Sequence, residues 1–309
     1  MQHHIDMKRV LVGLIIGSST LFGFDYKLEP VKVSDSVWCF LGKLEPPSKA
    51  NGGFMSNSCY VKNKQSYLVI DTGPTYQFAK QSYEAMSKIA KLPVKVVINT
   101  HSHDDHWQGN SYFKEQFDSK LIGTLLQQNS FKAGDTTRVK RVVTPETYAG
   151  TKIVPLDQTI SKDTNLTVDG TVVEITALGF KAHTPSDLFI YLPQFKALFA
   201  GDLVMNGRIS SNRDGSVLGQ VKAHNLIATK DYTNLIAGHG FDTSSKAMDE
   251  SKLYFSLIKQ RVSKAIEDEI EADDITKKVT LPEFKDKAMY NELNRRNIFD
   301  SYAELEFAE

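Results

Sequence analysis

The sequence predicts a mixed α/β fold closed by C-terminal helices. Short apolar, β-branched runs recur as far as residue 237, most of them ending at a turn signal or beside a glycine. A helix-like stretch over 76–91 separates two of these runs, and from residue 244 the composition becomes charged and helical. Runs of four to six such residues bounded by turn signals read as strands. Strands interleaved with helical segments exclude an all-β or all-α chain.

The elements follow in order. Lys8 and Arg9 precede an apolar run over 10–24, broken by small residues such as Gly13, Gly17, Ser18 and Ser19, and followed by the polar Asp25, Tyr26 and Lys27. This pattern predicts a secretory signal peptide over 1–24. The run is shorter than the roughly 20 residues a membrane-spanning helix needs. The expected location is therefore the periplasm or the exterior, with no stable membrane insertion after cleavage. His3 and His4 fall in this leader and are not candidate ligands. Export leaves two readings for Cys39 and Cys59: a disulfide formed in an oxidising compartment, or two buried thiols packing as small hydrophobes. Neither is expected to bind metal.

Strands are expected over 31–33, 37–41, 58–62 and 66–70. The loop over 42–56, with Pro46-Pro47 and Gly52-Gly53, is expected to be exposed and mobile, the natural lid of a site. Asp71-Thr72-Gly73-Pro74 closes the fourth strand, the helix over 76–91 stops before Pro93, and a strand over 94–98 follows. Further strands are expected over 171–175, 187–192, 198–200 and 235–237, the last two ending at Gly201-Asp202 and Gly238-His239-Gly240. One domain is expected over 27–243, with helices over 244–309 packed on it. The acidic block over 267–274 reads as a solvated helix face, and Pro282 as a break. Lysine plus arginine and aspartate plus glutamate both number 37, giving zero net charge. Nothing in that balance calls for nucleic acid or a membrane surface as partner; the partner expected is a small-molecule substrate.

The chemistry concentrates at the end of the strand over 94–98. There the chain reads His101-Ser102-His103-Asp104-Asp105-His106. Side chains two apart in extended chain point the same way, so His101 and His103 could reach one metal ion, and Asp105 and His106, past the turn, a second. Imidazole and carboxylate ligands held by strand ends suit zinc and its neighbours. His183 and His239 also sit at strand boundaries, whereas His224 lies in a helix-like stretch and reads as a surface or satisfied core residue. Asp202 could bridge two ions or cap a turn. Asp71 is a turn residue or, preferably, the acceptor for a ligand histidine's other ring nitrogen. Arg208 could recognise a substrate anion or form a surface salt bridge.

These motifs together resemble the metallo-β-lactamase fold hydrolases. The resemblance spans roughly residues 27–241 and rests on Asp71-Thr72-Gly73, the cluster over 101–106, Ala182-His183-Thr184, Gly201-Asp202 and Gly238-His239-Gly240. Ala182 departs from the pattern, since many members carry glycine there. The resemblance implies an αββα sandwich with its site at one edge. It implies a first metal on His101, His103 and His183, and a second on Asp105, His106 and His239, with Asp202 bridging. Two zinc ions are expected, with iron or manganese as alternatives. The segment over 198–204, Arg208-Ile209, Asp214-Gly215-Ser216 and the stretch over 290–306 look similar to periplasmic members found beside quinoprotein or sulfur-oxidation systems.

The function implied is an exported two-metal hydrolase. A metal-bridging hydroxide would attack an ester, thioester, lactone or amide-type carbonyl, with Asp105 orienting the nucleophile and passing a proton to the leaving group. Three other readings stand beside it. One is a β-lactamase proper, although those usually lack an aspartate at the Asp202 position. Another is an oxidoreductase similar to the mono-iron persulfide dioxygenases. The third is an accessory protein of a periplasmic redox pathway, against which an intact ligand set argues. The leader and the lack of a basic patch disfavour a nuclease.

Overall fold

A computed structural model describes residues 23–131 and 137–308; most of the expected signal peptide lies outside the described residues. The strands are β1 (Val31–Lys32), β2 (Val37–Phe40), β3 (Ser58–Lys62), β4 (Tyr67–Ile70), β5 (Val94–Ile98), β6 (Lys120–Thr124), β7 (Gln158–Ile160), β8 (Thr164–Val168), β9 (Thr171–Ala177), β10 (Leu188–Leu192), β11 (Ala197–Met205) and β12 (Asn234–His239). The helices are α1 (Tyr76–Ser87), α2 (Asn110–Phe117), α3 (Leu125–Ser130), α4 (Arg138–Val142), α5 (Pro145–Tyr148), α6 (Val217–Ile227), α7 (Asp249–Glu267), α8 (Ala272–Lys278) and α9 (Tyr290–Glu306).

Two sheets form, ordered β1-β2-β3-β4-β5-β6-β7 and β12-β11-β10-β9-β8. Period-two alternation explains how they stack. In β3, Cys59 and Val61 face the second sheet while Tyr60 faces outward, and in β4, Leu68 and Ile70 face in while Tyr67 and Val69 face out. The inward set meets Val173, Ile175, Leu188, Ile190 and Phe199 of the second sheet. The outward set packs on Phe78, Ala79 and Met86 of α1 and Phe113 of α2. The outer face of the second sheet packs Leu198 and Ala200 against Ala223 and Ile227 of α6. The layers are therefore helix, sheet, sheet, helix, the sandwich expected from the motifs.

Strand pairing sets where the chemistry falls. β4, β5 and β6 run parallel, with Ile70 opposite Ile98 and Ile98 opposite Ile122. Asp71 and the 101–106 turn thus leave the sheet at the same edge, the carboxyl ends of parallel strands where open α/β sheets place their ligands. Leu188 N donates to Thr100 O at 2.8 Å, joining the second sheet to the first at that edge.

Several expectations change. β11 does not stop at residue 200 but runs on to Met205, with register shifts on either side of Gly201. The acidic block over 267–274 is solvated, yet it spans the end of α7, a turn and the start of α8 rather than one helix face. Asp273 and Asp274 sit in the first turn of α8, where the helix dipole favours them. The loop over 42–56 is not exposed throughout. Residues 51–56 are buried because Asn51 Oδ1 accepts from Ser48 N and Gly53 N, and Phe54 packs 4.7 Å from Phe78. Pro46, Pro47 and Met55 line a cavity as a fixed wall.

Cys39 and Cys59 face each other across β2 and β3 and form a disulfide. Closing a loop of this length restricts the unfolded chain by about 3 kcal/mol. Reduction, or the Cys39→Ala/Cys59→Ala pair, is expected to lower the thermal midpoint by roughly 6–12 °C. Calorimetry with and without reductant checks this, and an unchanged midpoint would show that the bond contributes nothing.

Helices α7, α8 and α9 share their own apolar cluster, including Tyr254, Phe255, Ile258, Ile275, Ile298 and Tyr302. They also grip the sandwich. Ser251 Oγ exchanges hydrogen bonds with Met205, at 2.9 Å from its N–H and 2.6 Å to its carbonyl. Asn297 accepts from Asn212 N at 2.9 Å and donates to Ser210 O at 2.7 Å. Glu304 accepts from Val217 N at 2.7 Å, at the start of α6.

Candidate metal centre

Seven side chains converge at the sheet edge. His101, His103, His183 and Asp202 form one group, and Asp105, His106 and His239 another, with each group's nitrogen and oxygen atoms within 4.8 Å of one another. Both sheets contribute. The turn after β5 brings four of the seven, the loop before β10 brings His183, β11 brings Asp202 and β12 brings His239. Asp202 joins the groups: its Oδ2 lies 3.6, 3.2 and 3.3 Å from the Nε2 atoms of His101, His183 and His239, and its Oδ1 lies 3.1 Å from His106 Nε2. Asp105 Oδ2 lies 3.6 and 3.4 Å from the Nε2 atoms of His106 and His239.

Local sequence explains this convergence. The bulge at Gly201, which has φ +53°, turns Asp202 out of regular strand geometry. Gly238 passes so close that a Cβ there would stand 2.0 Å from Asp202 Oδ1. Any side chain at 238 would push the carboxylate away. The His183 loop is tied by Asp187, whose Oδ2 accepts from the N–H groups of His183 and Thr184 at 2.9 and 2.8 Å.

The imidazoles are aimed from behind. His106 Nδ1 lies 2.8 Å from Asp71 Oδ2, and His239 Nδ1 lies 2.6 Å from Met55 O. His101 Nδ1 lies 3.0 Å from Thr100 Oγ1, which itself donates to Asp71 Oδ2 at 2.8 Å. Each of these contacts favours a proton on Nδ1 and leaves Nε2 free to coordinate. His103 is turned the other way, with Nδ1 3.0 Å from His183 Nε2 and Nε2 3.3 Å from Asp214.

The buried atoms facing the centre lack partners. His101 Nε2, His106 Nε2, Asp105 Oδ2 and Asp202 Oδ1 are sealed from solvent with no hydrogen bond. Leaving such groups unsatisfied is costly, and divalent cations satisfy all of them at once. The residues therefore fit a pair of metal ions. The proton equilibria agree. Burial pushes the Asp202 carboxyl up, but the surrounding His239 and His106 outweigh it and hold the group well below the carboxylate range. Burial and the neighbouring His106 push His101 well down, while the carboxylates Asp202, Asp105 and Asp71 raise His106 well above its ordinary value against its own burial. The two buried carboxylates demand positive charge, and protons supply it where metal does not.

Arg138 and Asp214 were not singled out as site residues from sequence. Arg138 donates to Asp105 Oδ1 and Asp104 Oδ1, at 2.5 and 3.1 Å. No local motif announces it, because α4 lies outside the recognisable runs. Asp214 was legible only as part of a motif without a role. Arg208 corrects an expectation: it is no surface ion-pair residue but is buried at 6% exposure and lines the cavity beside the cluster.

His224 stands apart. It is buried in α6, with Nε2 donating to Leu203 O at 2.7 Å and Nδ1 sealed without a partner, a core residue away from the cluster. Burial pushes its pKa down to about 4, below the unfolded value of about 6.5. The unfolded chain therefore binds more protons between those values, so stability is full above the window and falls as pH drops through it. Between pH 7 and 5 this residue is expected to cost about 2 kcal/mol. The His224→Gln variant, which keeps a donor toward Leu203, should flatten that slope in denaturant titrations. An equal slope would place the acid sensitivity elsewhere.

Residues 51–239 match the Metallo-beta-lactamase superfamily, and the chain belongs to that superfamily. It is similar to the hydroxyacylglutathione hydrolase of Bartonella tribocorum, 26% identical over 148 residues, which covers 47% of this chain and 48% of the relative. It is also similar to the metallo-β-lactamase IND-1 of Chryseobacterium indologenes, 24% identical over 196 residues, covering 59% and 71% of the two chains. The chain thus spans about half the length of the hydroxyacylglutathione hydrolases it matches. Among solved structures, a metallo-β-lactamase from Pontibacter korlensis shares the fold with a TM-score of 0.59 and 20% identity, over 74% of this chain and 99% of that one.

Proposed function

We propose that this chain is an exported metal-dependent hydrolase that holds two divalent ions, zinc by preference. Its substrates are esters, thioesters, lactones or amide-type compounds. The observation that carries the reading is the convergence of seven imidazole and carboxylate groups, four of which (His101, His106, Asp105 and Asp202) hold a buried inner atom without a hydrogen bond. His101, His103 and His183 would hold the first ion, Asp105, His106 and His239 the second, and Asp202 would reach both. Bound there, such ions act as Lewis acids on the scissile group and supply a water-derived nucleophile at neutral pH.

The protein's own groups do the rest. Asp71 fixes His106 directly and His101 through Thr100. Burial pushes the Asp105 carboxyl up, but Arg138, His106 and His239 more than offset this and keep it anionic. An acceptor held in that state suits orienting a nucleophile more than storing its proton. The hydrolase names of the relatives support a hydrolytic reading, and the Cys39–Cys59 disulfide supports export to an oxidising compartment. No helix among the described residues is long and apolar enough to cross a membrane.

Elemental analysis of purified protein tests the centre. Close to two transition-metal ions per chain are expected, with activity on an activated ester or thioester lost on chelation and restored by metal. A single iron per chain would overturn the two-metal hydrolase and favour the mono-iron oxidoreductase.

A further inference from the structure

The cavity over the metal centre holds three arginines in unequal circumstances. Arg138 is committed to Asp104 and Asp105. Arg213 is mostly exposed and paired with Asp214. Arg208 is buried at 6% exposure, forms no ion pair among the described residues, and has Nη1 sealed from solvent without a hydrogen bond. Its one side-chain hydrogen bond among the described residues is a marginal 3.5 Å approach of Nε to Ile209 O. A buried guanidinium with an unmet donor is expensive unless something anionic completes it. The buried carboxylates whose charge reaches it, Asp202 and Asp105, would be occupied by metal.

The backbone keeps Arg208 in this position. Residue 208 forms a bridge with Ala288, and Ile209 N donates to Ala288 O at 2.9 Å. The same pairing brings Met289 and Leu293 of the C-terminal segment to the cavity, which Pro46, Pro47 and Met55 also line. The cavity thus offers the buried guanidinium of Arg208 beside an apolar portion made by Pro46, Pro47, Met55, Met289 and Leu293. The cavity measures about 130 Å³, well under the ~300–1,000 Å³ of sites that enclose a drug-sized ligand. Only the reacting end of a substrate fits inside.

We propose that Arg208 is the specificity-determining residue for an anionic substrate. A planar or tetrahedral oxyanion, carboxylate or sulfo group, docks on its guanidinium, and an adjoining apolar portion lies against Met289 and Leu293. This rests on the metal-dependent reading above and names its substrate class. A guanidinium presents donors in a fork that matches such anions.

Binding to the metal-loaded protein tests this without requiring turnover. Hexanoate, hexanesulfonate and the neutral isostere hexanamide are titrated calorimetrically at constant ionic strength, into wild type, Arg208→Met and Arg208→Lys, with metal content measured for each. Wild type is expected to prefer one or both anions to hexanamide, and the better of the two identifies the anion geometry. Arg208→Met is expected to lose about tenfold or more of that preference, and Arg208→Lys to recover part of it. A wild type without preference for either anion overturns the proposal. So does a preference unchanged in Arg208→Met, which would place the anion on the metals alone. If Arg208→Met does not fold, Arg208→Gln, which keeps a donor without the charge, takes its place: a preference reduced about tenfold or more supports the proposal, and one equal to wild type overturns it. Failure of the underlying reading would look different, because the wild type would then carry no stoichiometric metal.

Discussion

Replacing Asp202 with alanine is expected to strip the chain of most of its metal and to lower any hydrolytic rate by more than about 100-fold, beyond the loss that follows removal of an orienting partner alone. Among the described residues no other side chain lies against four imidazoles: His101, His106, His183 and His239 all place Nε2 within 3.6 Å of its oxygens. Without it, the two groups of ligands would lose the carboxylate that lies against imidazoles of both. The four rings would also face one another without the charge that balances them. Metal content should fall from near two ions per chain to one or fewer. Metal analysis and initial rates on the same preparations check this, and a variant retaining two ions and its rate would remove Asp202 from the centre.

The second large effect belongs to Asp71. Its carboxylate accepts from His106 Nδ1 and Thr100 Oγ1, both at 2.8 Å, and Thr100 in turn receives His101 Nδ1. One carboxylate therefore orients a ligand in each group. The Asp71→Asn variant should weaken metal binding by about 10–100-fold, at both groups rather than one. Asparagine is the informative replacement because Asp71 has φ +54°, a conformation that Asn tolerates and most residues do not. Competition against a chromogenic chelator measures the affinity. Wild-type affinity in the variant would show that the buried contacts do not set ligand geometry.

Much of this centre was readable from sequence because its parts lie where simple periodicity ends. His101, His103, Asp105 and His106 follow an apolar run, and Gly238-His239-Gly240 follows another. Asp71 was readable for the same reason. What stayed hidden depends on contacts distant in sequence. Arg138 reaches Asp105 from a five-residue helix with no amphipathic signature. The burial of Arg208 follows from its pairing with Ala288, 80 residues away, which nothing local encodes. Strands β7 and β8 were missed because their exposed, polar residues blur the alternation. The loop over 42–56 misled through its Pro and Gly content, while Phe54 and Met55 carried the burial.

The ligands come from both sheets, and this bears on how the protein reaches its final form. The cluster over 101–106 and His239 lie more than 130 residues apart in sequence, and they meet where the two sheets close on their shared apolar layer. Contacts of such long sequence separation form slowly, because the intervening loop must be closed first. A metal held there would be captured after that closure, as a cross-brace between two halves that have already found each other. Release of the ions would correspondingly loosen the seam between the sheets before either sheet comes apart.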